Sequence, residues 1–191
     1  MRWSQPLDGD FVVRYRANVG GTVPEGEDRH PRMAVGEDVA VLTTGTTVGG
    51  YDARTGIPKW RTVLTGLPAG ARAETARVWP GLVTVGVAWG NPWKAPRHYL
   101  EVVLDAGTGA RLRTLPSAVY TGTIHAGAGY VVVLHEAGVT AYGARDGRVR
   151  WTRRLDHRAP SWDAEDGILF LARDRDGYTG PAPITGIRRS T

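Results

Sequence analysis

The chain has 191 residues with 26 Gly, 12 Pro, 7 Trp and no Cys, and its formal net charge is +5. The lack of Cys excludes disulfides and thiolate-held metals, and the Gly and Pro content without 3.6-residue patterning excludes a helical repeat. No run reaches the roughly 18 apolar residues of a membrane helix, the N-terminus lacks the basic-then-apolar order of a secretory signal, and one domain over 1–191 accounts for the length.

In chain order, residues 1–8 open with Met1-Arg2-Trp3-Ser4-Gln5-Pro6-Leu7, which reads as an isolated strand. A long connection from Asn18 to Arg32 follows. Residues 30–65 form the first full unit. Gly36-Glu37-Asp38-Val39-Ala40-Val41-Leu42 is a turn into a strand buried on both faces, and Tyr51-Asp52-Ala53-Arg54-Thr55-Gly56-Ile57-Pro58-Lys59-Trp60 is a hairpin. Gly56 supplies the positive φ of the turn, while Asp52 and Thr55 can bond their own backbone.

Residues 73–116 repeat the pattern as Gly81-Leu82-Val83-Thr84-Val85 and Leu104-Asp105-Ala106-Gly107-Thr108-Gly109. Leu112 is expected where the first copy has Trp60, and extra residues lie around Asn91-Pro92-Trp93-Lys94-Ala95-Pro96. Residues 119–156 repeat it again as Gly129-Tyr130-Val131-Val132-Val133-Leu134 and Tyr142-Gly143-Ala144-Arg145-Asp146-Gly147-Arg148-Val149-Arg150-Trp151. Residues 158–191 hold three strands, near Trp162, at Gly167-Ile168-Leu169-Phe170-Leu171 and at Ile184-Thr185-Gly186-Ile187-Arg188, with no fourth.

Gly36, Gly81, Gly129 and Gly167 recur at intervals of 45, 48 and 38 residues. Short strands at periods of about 40 to 50 residues are the mark of propeller blades. The expected fold is therefore all-β, a propeller of about four blades of four antiparallel strands. Residues 1–8 could complete the last blade and remove its exposed edges. The alternative is a segment of a larger propeller.

The turn followed by Thr-Gly, three residues and Trp resembles the pyrrolo-quinoline-quinone-like (PQQ-like, quinoprotein and BamB-like) β-propeller repeat family. The resemblance is fullest at residues 51–60, degenerate at 103–109 and 142–151, and spans nearly the whole chain. It implies that Trp3, Trp60 and Trp151 pack between blades, where a rigid ring covers apolar area and its N–H finds a backbone partner. The family tends to be bacterial and to work in the periplasm or outside the cell, although this chain opens without a signal peptide. The quinoprotein enzymes add a vicinal Cys pair, calcium ligands and a catalytic Asp within a larger eight-bladed barrel. With no Cys and about half the blades, none of those residues carries over, so PQQ is not expected as a cofactor.

Other motifs point away from chemistry. His30, His98, His125, His135 and His157 have no local metal-ligand spacing. Asp174-Arg175-Asp176-Gly177 starts like a calcium loop but lacks its remaining ligands and helices, and the Gly-rich segments 45–50 and 127–129 precede no helix that would hold phosphate. The basic balance comes from 22 Arg and 2 Lys against 19 acids. Its densest cluster, Arg145, Arg148, Arg150, Arg153, Arg154 and Arg158, alternates as on a solvated outer strand rather than a nucleic-acid surface.

The favoured function is a non-catalytic scaffold or interaction module with a protein or peptide partner. Loops on a rigid frame carry function, and Trp89, Trp93 and His98 are the expected recognition residues. The alternative is a quinone- or other small-ligand-binding enzyme or sensor domain, including the sensor of a membrane kinase. It would use Arg77, His125, Asp163 and Glu165 on the inner strands.

Overall fold

The β-branched runs and Gly-closed turns become strands throughout the computed structural model, which describes residues 32–90, 98–117, 123–127, 129–135, 138–154, 161–165, 168–172 and 184–188. The first antiparallel sheet contains β1 (Arg32–Val35), β2 (Val39–Thr44), β3 (Thr47–Asp52) and β4 (Pro58–Val63), in that order. The second contains β5 (Arg72–Trp79), β6 (Leu82–Trp89), β7 (His98–Asp105) and β8 (Arg111–Ser117). The third contains β9 (Thr123–Gly127), β10 (Tyr130–His135), β11 (Gly138–Gly143) and β12 (Val149–Arg154). A fourth sheet has three strands, β13 (Ser161–Glu165), β14 (Ile168–Ala172) and β15 (Ile184–Arg188). The expected strand at residues 1–8, with Trp3, lies outside the described residues.

Strand alternation sends successive side chains to opposite faces. Every residue of β6 from Leu82 to Ala88 is buried because another sheet covers each face. Val83, Val85, Val87, Val102 and Leu104 join Val39, Val41, Val48 and Leu64 of the first sheet in one apolar cluster. Leu82 and Val103, on the opposite face, join Leu115, Ala126, Val131 and Val133 in a second cluster toward the third sheet. The core thus lies between sheets, as a row of stacked blades requires.

The third-to-fourth strand turns explain the recurring sequence. Asp52 Oδ1 accepts from the Thr55 amide at 2.8 Å and from its hydroxyl at 2.7 Å, and the Gly56 amide donates to Asp52 O at 2.8 Å. Asp105 and Thr108 repeat this at 3.0 Å each, with Gly109 donating to Asp105 O at 2.8 Å. Gly56 and Gly109 sit at φ 75° and 69°, a region costly for residues with a Cβ. Hydrogen bonds from the Thr55 and Thr108 side chains are the main reason that both carboxyls are held below the ordinary carboxylate value. In the third copy Gly143 takes the Asp position, and Asp146 instead accepts from the Arg148 amide at 3.0 Å.

Trp60 fastens the first sheet to the second. Its Nε1–H donates to Ala106 O at 2.9 Å, and Thr62 Oγ1 donates to Gly109 O at 2.7 Å. The indole lies between two glycines: a Cβ on Gly50 would stand 2.1 Å from Trp60 Cε2, and one on Gly109 would stand 2.4 Å from Cε3.

The second copy corrects the expectation placed on Leu112. A bulge after the turn adds one residue to the outer strand, so that Trp60 opposes Gly50, Arg113 opposes Val103 and Trp151 opposes Ala141. Arg113 therefore holds the tryptophan position. Its Nε donates to Arg145 O at 2.8 Å, and its Cδ would lie 3.4 Å from a Cβ on Gly147. Leu112 packs beside the second apolar cluster instead. Trp151 shares the register but remains 40 % exposed.

Candidate interaction site

The β6–β7 ladder keeps an unbroken register from Leu82↔Asp105 to Trp89↔His98. Eight paired positions without a slip deliver the final cross-strand pair as a fixed unit. The Trp89 and His98 rings stack with centroids 5.3 Å apart and an interplanar angle of 19°. Trp89 is half-buried and His98 is exposed, so the pair has an anchored base and an open flank. Trp93, in the intervening loop, lies outside the described residues.

Connections between second and third strands emerge at the same end of each sheet. His135, the last residue of β10, therefore shares that end with Trp89 and His98. Its Nε2 lies 3.2 Å from the Tyr142 hydroxyl. Burial holds the His135 imidazole below its ordinary pKa.

A second group lies between sheets two and three. Arg77 Nη1 donates to Thr123 O at 2.5 Å, and the Thr123 amide donates to Glu101 Oε1 at 3.2 Å. Burial lowers the Arg77 pKa, and the Glu101 charge opposes that shift. Close by, the Trp79 and His125 rings meet edge-on at 5.6 Å, and Trp79 Nε1 donates to Thr84 Oγ1 at 3.0 Å. Thus Arg77 and His125 do come to one sheet boundary. Asp163 and Glu165 lie on β13, the first strand of the neighbouring fourth sheet. Glu101 and Thr123 belong to no motif in the sequence. The signal for Glu101 was a charge between Leu100 and Val102 in an otherwise apolar strand, and it is only 2 % exposed.

The basic cluster follows the outer rim. All six residues of β12 are exposed, Arg150 pairs with Asp146 at 2.9 Å, and Arg145 lies 3.6 Å from Asp105. Arg158 is outside the described residues. Among the described residues no three His, Asp or Glu side chains gather closely enough to hold a metal, and no helix is long and apolar enough to cross a membrane.

Stacked four-stranded antiparallel sheets fastened through their outer strands define a β-propeller architecture. Within that class the fold is PQQ-like and BamB-like. The chain is similar to BamB from Moraxella catarrhalis, with 21 % identity and a TM-score of 0.53 over 83 % of this chain and 45 % of that one. It is also similar to a solved eukaryotic initiation factor, with 13 % identity and a TM-score of 0.55 over 86 % of this chain and 42 % of that one. Quinohemoprotein alcohol dehydrogenase from Comamonas testosteroni matches with 14 % identity and a TM-score of 0.47 over 74 % of this chain and 32 % of that one. The chain spans less than half the length of each of these structures. No family model matches the sequence, and no curated protein matches it significantly.

Proposed function

We propose that this chain is a non-catalytic interaction module that binds a protein or peptide segment through the end of the sheets bearing Trp89 and His98. The observation that supports this reading is the stacked pair itself: an amphipathic aromatic surface on a buried, unslipped hairpin. Rigid aromatic residues make recognition surfaces at low entropic cost, because few rotors are frozen on binding. The BamB-like fold is compatible with this role. No cofactor forms part of the reading. Arg77 and Glu101 bond the Thr123 backbone and so join one sheet to the next, which leaves the small-ligand alternative with less support.

The test is selection from a displayed peptide library against the 191-residue chain, with Trp89→Ala and His98→Ala as counter-targets. Enriched peptides should lose about 30-fold or more in affinity for Trp89→Ala, the size of a central aromatic contact. Sequences that bind both forms equally would refute the site. Quinone titration by absorbance should produce no saturable change, and saturable binding with dehydrogenase turnover would favour the enzyme reading.

A further inference from the structure

The positive charge of the chain is concentrated on one outer hairpin. Residues 143–154 hold Arg145, Arg148, Arg150, Arg153 and Arg154 against the single acid Asp146, an excess of four in a chain whose formal net charge is +5. The equivalent hairpins are nearer balance: residues 52–63 hold three basic residues against Asp52, and residues 105–116 hold two against Asp105. Exposure at these positions belongs to the repeat. Counted from the turn glycines Gly147, Gly56 and Gly109, Arg145 corresponds to Arg54 and Gly107, Arg148 to Ile57 and Ala110, and Arg154 to Val63 and Pro116. All six counterparts are exposed, although each of their sheets is followed by another. Trp151 and Arg153 stand apart from the patch, because their counterparts Trp60 and Thr62 bond to the next sheet. Arg150 pairs with Asp146 at 2.9 Å, whereas Arg148 and Arg154 make no ion pair among the described residues.

The strand that carries this charge also has an open edge. β12 ends the order β12-β11-β10-β9 and, among the described strands, pairs with β11 alone. The outer strands of the first two sheets are blunted: β4 opens on Pro58 and β8 contains Pro116, and neither residue has an N–H to offer a further strand. β12 contains no Pro. We propose that β12 is a docking edge for an extended acidic segment of a partner protein, which adds a fifth strand to the third sheet and sets carboxylates against Arg148, Arg150 and Arg154. Charge identifies the occupant. A second β12 would set arginine opposite arginine, and like charges across a ladder disfavour pairing. The open backbone edge favours a peptide over a nucleic acid, which has no strand to add. A strand laid along β12 would meet Arg150 and Arg154 about 13 Å apart, the span of four extended residues, so acids at alternate positions suit it. This surface is independent of the Trp89 and His98 reading.

The experiment is fluorescence anisotropy of a labelled peptide that alternates Glu with Val, titrated with the 191-residue chain. Binding should saturate and should weaken as salt rises. Arg148→Glu combined with Arg154→Glu should weaken it by about 10-fold or more with unchanged far-ultraviolet circular dichroism. Arg54→Glu combined with Lys59→Glu makes the same charge change on the first hairpin and should leave binding intact. The same peptide N-methylated on alternate amides keeps its charge but cannot complete a ladder, and it should bind weakly. Absence of binding at low salt would overturn the proposal. So would equal binding of a peptide with Lys in place of Glu, equal loss with the first-hairpin variant, or an N-methylated peptide that binds as tightly as its parent. Labelled oligothymidine that binds more tightly and displaces the peptide would overturn it in favour of a nucleic-acid surface.

Discussion

Replacing Gly50 with Ala tests the inter-sheet fastening because the outcome depends on a residue in another strand. Gly50 lies in β3 without a positive φ, so Ala suits its backbone and should gain about 0.5–1 kcal/mol over Gly in a strand. The new Cβ, however, would fall 2.1 Å from Trp60 Cε2. The ring cannot slide away, because Gly109 of the next sheet closes its other side and the Nε1–H bond to Ala106 O fixes its edge. Overpacking of this kind costs about 1–3 kcal/mol, so Gly50→Ala should destabilise the chain despite its better propensity.

In a Trp60→Ala background the obstruction is gone, and the same substitution should become neutral or stabilising. The propensity gain cancels in the cycle, so the predicted coupling equals the overpacking cost, about 1–3 kcal/mol, within the range for residues in contact. Gly109→Ala should behave differently. Its clash with Trp60 also disappears in that background, but the left-handed backbone at φ 69° should retain a penalty of about 1–2 kcal/mol. Denaturant unfolding of wild type, the single variants and the doubles measures both cycles. Equal costs for Gly50→Ala with and without Trp60 would refute the plug.

Three further outcomes follow from the same structure. Arg113→Leu should lower stability by about 1 kcal/mol through loss of the Nε donation to Arg145 O, whereas Leu112→Arg should not restore it; urea midpoints check this. Asp105→Ala should cost about 1–2 kcal/mol, because it orphans the Thr108 and Gly107 donors as a lost cap does, and thermal unfolding should report a fall of a few degrees. His125 and His135 have folded pKa values lowered by burial, so the unfolded chain binds more protons near pH 6. Stability should therefore decline as pH falls below their ordinary value of 6.5. A second decline should begin below the ordinary value of 3.8, as Asp52, Asp105 and Asp146 protonate and lose their hydrogen bonds. His125→Phe should flatten the first decline in a series of melting temperatures.

The strands and turns were legible because local chemistry sets them. Asp52 and Thr55 bond within four residues, and the same spacing at Asp105 and Thr108 repeats the turn without help from elsewhere. The central strands were readable for a similar reason: a strand covered on both faces has no polar side to hide, as in Val83-Thr84-Val85. Arg113 was readable by counting: Trp60 and Trp151 each stand four residues after the turn glycines Gly56 and Gly147, and the fourth residue after Gly109 is Arg113, whereas Leu112 is the third. Leu112 is the large apolar residue next to that position, but a long aliphatic stem with a donor head serves there in place of an indole. Trp89 and His98 could be named as loop-proximal residues, but their stacking depends on the register of eight pairs across the hairpin. The Arg77, Glu101 and Thr123 group spans two sheets, so only tertiary packing brings it together.

In the proposed function Trp89 receives a partner, whereas Trp60 holds the first two sheets together. Fluorine NMR of the 5-fluorotryptophan-labelled chain, assigned by single substitutions and titrated with a library-selected peptide, separates the two roles. The Trp89 resonance should shift with saturation while that of Trp60, held between Gly50 and Gly109, stays in place. A bound peptide that leaves Trp89 unmoved, or that moves Trp60 instead, would contradict this division of roles.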